Sequence, residues 1–402
     1  MIIIGAGLGG LALAHGLRER GVDVTVHERD ARPGARPQGY RIQLDEPGLT
    51  ALRQCLPAEL FGLCLATAGA PPARVSVRNR HLEVLADRAT GRTADPTAGF
   101  EAAGVGPRAF DRPTLRRIML LGLGDRVHHG AQLASYRHED DGRVTACFAD
   151  GRTATGDLIV GADGVNSTVR RLLLPAARVE DAGLRLVYGR IPLDGRARAA
   201  LPGWAFESIF TVVTDGPGKA HLGLGPVEFA TRPDLAGRAR TPALDLPPAH
   251  DYLACMVGAP ADHPAMPAPA DLRTLPPAAL RELALRLLGD GWHEDVHRLL
   301  ARWDTASLFP LRISTSAPVP PWEPGPVTLI GDAIHAMSPV LAMGANTAVR
   351  DAAELSRALA DATGPGPGLA RAVGVYESRM RDYAFPIVAD SRRTGQQRVG
   401  QR

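Results

Sequence analysis

The stretch Ile2-Ile3-Ile4-Gly5-Ala6-Gly7-Leu8-Gly9-Gly10, with Leu11–Arg20, Gly21, Val22–His27 and Glu28-Arg29 behind it, decides the fold. Three consecutive isoleucines read as a buried strand. Residues 11–20 have helical composition and stop at a glycine, and 22–27 read as a second buried strand that ends on an acid. Strand, glycine-rich turn, helix, strand is the context in which Gly-x-Gly-x-x-Gly has a mechanism. The glycines allow a tight turn and close backbone approach. The helix N-terminus turns N–H groups and a positive dipole toward a pyrophosphate. Glu28, eighteen residues after Gly10, suits ribose hydroxyls. The reading predicts an α/β dinucleotide-binding unit.

Outward from that unit, 49–66 reads as one helix, and Asp111 caps a helix to Leu121 with Pro113 in its first turn. Two Asp-Gly turns within 132–160 predict an antiparallel meander, and its last run leads into Gly161-Ala162-Asp163-Gly164. Strands are expected at 185–191, 208–214, 221–224 and 252–257. The Pro/Ala-rich segment 259–278 marks a domain junction. Helices follow at 278–303, a buried strand at 327–330 and a long helix at 344–362.

Composition bounds the chemistry. The chain has 402 residues, 45% hydrophobic and 22% charged, as in a globular protein of two or three domains. Lys219 is the sole lysine and sits in a turn-like Gly-Pro-Gly-Lys-Ala, so Schiff-base and P-loop lysine chemistry have no carrier. A net charge of +3 with scattered arginines gives no nucleic-acid footprint. No stretch approaches the roughly 20 apolar residues of a membrane span. Residues 2–14 lack a basic flank and are broken by glycines, unlike a signal peptide. Cys55, Cys64, Cys147 and Cys255 show no paired spacing, which suits reduced thiols in the cytoplasm.

Two further boxes stand out. One is Gly161-Ala162-Asp163-Gly164-Val165-Asn166. The other is Leu329-Ile330-Gly331-Asp332-Ala333-Ile334-His335, followed by Ser338-Pro339 and Gly344-Ala345-Asn346. With the glycine box they stand in the order, and near the separations, of the FAD-dependent monooxygenases of the p-hydroxybenzoate hydroxylase and salicylate hydroxylase type. The chain resembles that family from residue 2 to about residue 395. It looks like the short form, without a thioredoxin-like C-terminal domain.

The resemblance implies a discontinuous, Rossmann-like FAD domain of glutathione-reductase type (1–68, 108–181 and 272–402). It implies a second α+β substrate domain on an antiparallel sheet (69–107 and 182–271). Gly5, Gly7, Leu8, Gly9 and Gly10 would cradle the pyrophosphate of non-covalent FAD, and Glu28 and Arg29 would meet the adenosine end. Gly39, Arg41, Arg112 and Asp163 match FAD-contacting positions. Gly331 and Asp332 would hold the ribityl chain. Pro339, Gly344, Ala345 and Asn346 would meet the isoalloxazine, where a helix N-terminus favours the negative charge of reduced flavin. NAD(P)H would dock transiently as reductant. A C4a-hydroperoxyflavin would deliver oxygen from O₂ to an electron-rich aromatic or polyketide-like small molecule, by hydroxylation or epoxidation. Tyr188, Arg190 and Pro339 are the catalytic candidates, and Phe206, Phe210, His221 and Met256 are further candidates for the substrate wall. Arg190 leads because a buried arginine needs a partner or a purpose. One departure is Ala342, where the family has a glycine. If that position needs positive φ, alanine costs about 1 kcal/mol or more.

Competing readings remain. His293-Glu294-Asp295-Val296-His297 spells the zinc-protease HExxH, but the apolar stripe of Trp292, Val296, Leu299, Leu300 and Trp303 points to a packed helix. A flavin-dependent halogenase needs a catalytic lysine, for which Lys219 is the one choice. A plain NAD dehydrogenase would share the first box alone. A non-catalytic FAD-binding partner or sensor is motivated by Ala342. His335 reads either as a general base or as a residue that orients its loop.

Overall fold

The computed structural model describes residues 1–35, 39–89, 106–240, 246–360, 362 and 364–402. Two sheets organise it. The first is parallel, in the order Val327–Leu329, Ile159–Gly161, Ile2–Ile4, Thr25–Glu28, Val127–His129. Its central strand is fully buried, as a strand covered on both faces must be. Helix Leu8–Arg18 follows directly and packs along helix Gly344–Ala358. The expected meander is present as Leu133–His138, Val144–Phe148 and Thr153–Gly156. Its last expected run, 157–160, leaves the meander and joins the parallel sheet as strand Ile159–Gly161.

The second sheet has seven strands, in the order Phe309–Ser316, Val179–Pro192, Tyr252–Pro260, His221–Val227, Phe210–Thr214, Arg74–Arg78, Val84–Ala89. All neighbours are antiparallel except Phe210–Thr214 with Arg74–Arg78. Period-2 alternation sorts its side chains. Leu222, Leu224, Leu253, Cys255 and Val257 enter an outer core with helices Pro277–Leu288 and Glu294–Ala301. The alternate residues face the first domain.

Two expectations need correction. The sequence reading puts residues 277–316 in the cofactor domain, but their helices cover the seven-stranded sheet and Phe309–Ser316 forms its edge. The Pro/Ala-rich segment is a change of direction within the second body, and the chain rejoins the parallel sheet at Val327–Leu329. The helix expected over 49–66 is two, Glu46–Cys55 and Ala58–Thr67. Leu56 is extended (φ −91°, ψ 145°), as the residue before a proline prefers, and Pro57 has no N–H to continue the ladder. Part of the expected insertion, 90–105, lies outside the described residues.

Cys55, Cys64, Cys147 and Cys255 are free, and burial pushes the Cys55 and Cys64 thiols up to about 12, which keeps them protonated. Among the described residues, no helix is long and apolar enough to cross a membrane.

Candidate active site

The glycine box is built by backbone contact. Gly5 has φ +111°, and a Cβ there would stand 2.4 Å from the Ala162 carbonyl oxygen. A Cβ on Gly10 would stand 2.1 Å from the Gly5 carbonyl oxygen. A side chain at either position would have to displace backbone. Gly7 differs, because no atom lies within 4 Å of its Cβ position. It caps helix Leu8–Arg18 without a side-chain hydrogen bond. Gly7, Leu8, Gly9 and Gly10 line a cavity of about 1060 Å³ between the two sheets.

Glu28 is not on that wall. It is buried and accepts hydrogen bonds from the amides of Ala6 (2.9 Å) and Asp30 (3.0 Å), with Arg116 at 3.5 Å. Its carboxylate ties the glycine turn to the end of the second strand, and Arg116 donates to the Ala6 carbonyl. Arg29 is exposed. Asp163 caps the next turn, accepting from Thr168 N (2.6 Å) and Val169 N (3.3 Å), while its Oδ1 is buried without a partner. Such an orphaned acceptor suits a ligand hydroxyl or amide.

Opposite the glycine box, Gly331 (φ +61°) leads into helix Asp332–His335. Asp332 is exposed to the cavity but deep inside the molecule, and burial pushes its carboxyl up despite His335 and Arg112 nearby. His335 is fully buried against Asp351 (Nε2 to Oδ2, 2.6 Å), which also accepts from Gly331 N (2.7 Å) and Tyr383 Oη (2.5 Å). Its hydrogen bond to Asp351 fits the loop-orienting reading better than a base facing substrate.

The cavity is closed on one side by Pro339–Leu341, Ala342 and the start of helix Gly344–Ala358, from which Gly344, Ala345 and Ala348 face inward. Two helix N-termini therefore open onto one cavity, and each leaves unbonded N–H groups for an anion. Ala342 adopts φ 55°, ψ 25°, the left-handed conformation that makes alanine costly there. Ala342→Gly is expected to stabilise the protein by roughly 0.5–1 kcal/mol, the relief of strain less the added freedom of the unfolded chain. An unchanged or lower urea midpoint would show that the turn carries no such strain.

Asn346 does not reach the cavity. Its Oδ1 accepts from Asp45 N (3.0 Å), and its Nδ2 donates to Gln43 O (3.1 Å) and Ala342 O (2.9 Å). The side chain is used up joining the left-handed turn to strand Arg41–Leu44. Asn166 is exposed.

The substrate wall is also resolved residue by residue. Gly39, Arg41, Arg112, Tyr188, Phe210, His221, Met256 and Pro339 line the cavity. Arg190 does not. It is half-exposed, 3.6 Å from Asp304 and over the Tyr40 ring, and lines a separate pocket of about 390 Å³. Its expected burial is corrected: it ends a cavity-facing series on an exposed edge. Phe206 is buried in the outer core. Lys219 is exposed. His293 precedes its helix as N-cap, and no group of three or more potential metal ligands occurs among the described residues. Sequence reading missed Leu311 and Ile313 on the edge strand, although Phe309, Leu311 and Ile313 alternate with the period of a strand. Arg350-Asp351-Ala352 reads in sequence as the tail of the Gly-Asp box, with no role for Asp351, and Tyr383 gives no signal, because their partners are distant in sequence.

Known proteins share this arrangement. Residues 3–52 match an NAD(P)-binding Rossmann-like domain and residues 295–388 an FAD binding domain. The chain is 30% identical over 397 residues to the dual O-methyltransferase/FAD-dependent monooxygenase CTB3 of Cercospora beticola, covering 96% of this chain and 44% of that protein. It therefore spans less than half the length of that relative. A solved protein from Photorhabdus luminescens, described as an FAD-containing monooxygenase, superposes with a TM-score of 0.80 at 29% identity over 98% of this chain and 97% of that one. A single-residue variant of Klebsiella pneumoniae HpxO, solved with FAD, gives 0.75 at 25% identity over 98% and 89%. With its glycine box, Asp-Gly box and Gly-Asp box gathered at one cavity, the chain belongs to the FAD-dependent monooxygenases.

Proposed function

We propose that this chain binds FAD non-covalently, is reduced by NAD(P)H, and inserts one atom of O₂ into an electron-rich, aromatic or polyketide-like small molecule. One observation carries the reading. The cavity that receives two helix N-termini from the cofactor domain has the inner face of the seven-stranded sheet as its other wall. Bound FAD would supply hydride acceptance and oxygen activation, and the protein supplies position, dryness and electrostatics.

Gly5, Gly7, Leu8, Gly9 and Gly10 would hold the pyrophosphate. Glu28, whose oxygens keep lone pairs beyond their present bonds, would take the ribose with Arg29 nearby. Asp163 Oδ1 and Asp332 would accept from the ribityl side, with Gly331 giving the close approach. The open N–H groups at Gly344 and Ala345 would stabilise negative charge on the ring's edge. Gly39 and Arg112 would flank the ring, and Asn346 would fix the loop behind it. Leu184, Leu186, Val212, Met256, Leu311 and Ile313 make the facing wall apolar, which excludes water from the reacting atoms. Tyr188 and Pro339 stand on that cavity as the remaining catalytic candidates.

The reading is tested by the visible spectrum of pure protein after FAD reconstitution, then by NAD(P)H oxidation with and without a panel of phenols and quinols. A flavin band with substrate-stimulated oxidation and an oxygenated product is expected. A protein that takes up no flavin would sink the reading. A yellow protein that oxidises no NAD(P)H would favour the non-catalytic partner or sensor.

A further inference from the structure

Beneath the side chains that floor the cavity lie three glycines that the cofactor does not explain. On strand His221–Val227 the alternate residues His221, Gly223 and Gly225 point inward, while Leu222 and Leu224 enter the outer core. On the neighbouring strand Gly258 lies opposite His221. Each glycine is the seat of one or two cavity-facing side chains. A Cβ on Gly225 would meet Arg41 Nε at 2.7 Å and Cζ at 3.0 Å. A Cβ on Gly223 would meet Met256 Cγ at 2.9 Å and Phe210 Cζ at 3.0 Å. A Cβ on Gly258 would meet His221 Nε2 and Leu186 Cδ2, each at 2.4 Å. The glycines let these side chains lie flat, so the space above is a slab with an apolar middle and a polar group near each end.

Both polar groups are poorly served by the protein. Arg41 donates to the carbonyls of Ile209 (2.6 Å) and Pro226 (3.3 Å), and no carboxylate among the described residues pairs with it. A half-buried cation without a counter-charge is costly unless a ligand supplies one. His221 is buried with Nδ1 unpartnered. Burial outweighs the nearby Lys219 backbone and holds the ring down at about 4, so it is neutral at neutral pH and able to accept or donate.

We infer that Arg41 and His221 are the two ends of a recognition clamp for a flat, fused-ring substrate with an oxygen substituent at each end, one facing Arg41 as an oxyanion and the other hydrogen-bonded by His221. The inference rests on the monooxygenase reading of the cavity, and moves Arg41 from the flavin to the substrate. Its size follows from the strand. Gly225 and the residue pair His221/Gly258 are four residues apart, about 13 Å. Removing two hydrogen bonds of about 3 Å leaves roughly 7 Å between the substrate oxygens. That exceeds the span of para oxygens on one benzene ring and matches two or more fused rings.

The test is calorimetric titration of FAD-reconstituted protein with 2,6-dihydroxynaphthalene and with hydroquinone, on wild type and variants. The naphthalene is expected to bind at least tenfold tighter. Arg41→Met and His221→Phe are each expected to weaken it about tenfold, the loss of one good hydrogen bond. His221→Gln, which keeps a polar end, is expected to retain most of the affinity. A structural role would give the reverse order, because Phe keeps the ring's packing. Gly258→Ala, which pushes the imidazole off its seat, should copy His221→Phe. Equal affinity for hydroquinone, a silent His221→Phe, or an Arg41→Met that weakens FAD and leaves the naphthalene alone would overturn the clamp. Variant-sensitive naphthalene binding without NAD(P)H oxidation would keep the clamp and remove the monooxygenase reading.

Discussion

Gly10→Ala is expected to yield folded protein that no longer retains FAD. Its Cβ would fall 2.1 Å from the Gly5 carbonyl oxygen and 3.2 Å from Ala162 Cβ. The first obstacle belongs to the turn that shapes the cradle, and the second to the Asp-Gly box packed against it. The helix cannot slide away freely, because Gly9 already faces the Ala348 carbonyl oxygen at 3.1 Å from its own Cβ position. The clash is relieved by opening the turn, at about 1–3 kcal/mol. The same distortion takes amides out of line with the pyrophosphate, so FAD affinity should fall ten- to a hundredfold or more. Gly7→Ala separates fold from cofactor. Nothing lies within 4 Å of that Cβ position, so thermal stability without FAD should stay at the wild-type value. The methyl group would stand where the phosphate must come close, and FAD affinity should still drop. Fluorescence titration with FAD checks both. A Gly7→Ala protein that binds FAD like wild type would remove Gly7 from the cradle.

The parts of this protein that were legible in sequence are those governed by local rules. Strand Ile2–Ile4, the glycine turn and helix Leu8–Arg18 are encoded by contiguous residues, and Asp111 announces its helix by capping it through Thr114 N at 2.9 Å. The Asp-Gly turns give the meander for the same reason. What stayed hidden depends on packing between distant segments. Asn346 could be placed beside the flavin boxes, but not seen to spend its amide on Gln43, Asp45 and Ala342. Arg190 could be placed on a strand, but its exposure depends on where that strand ends relative to Asp304. The domain boundary failed because helices Pro277–Leu288 and Glu294–Ala301 are amphipathic toward either sheet, and the sequence does not say which sheet is nearer. Ala342 is the opposite case. A departure visible in sequence posed a conformational question, and the left-handed φ answers it.

Asp351→Ala is expected to be the most destabilising single change near the site, at about 3–5 kcal/mol, because it removes the common acceptor of a buried cluster. Three donors converge on this carboxylate: Gly331 N, His335 and Tyr383 Oη. They join the Gly-Asp turn, helix Gly344–Ala358 and helix Pro367–Val399, so the loss should also loosen Asp332 in the cavity wall. Asp351→Asn keeps an acceptor and the shape, and should cost less. The effect has a pH signature. Burial works to lower the His335 pKa, but Asp351 and then Asp332 outweigh it, and the result lies above the ordinary 6.5. A raised histidine pKa contributes stability that is fully present below 6.5 and fades as pH climbs through the folded value. The gap between wild type and Asp351→Ala should therefore be widest on the acid side of neutrality and narrow as His335 loses its proton. Urea midpoints measured from pH about 6 to 9 decide the matter. A constant gap would mean that His335 is neutral in the folded protein, and that Asp351 acts through Gly331 and Tyr383 alone.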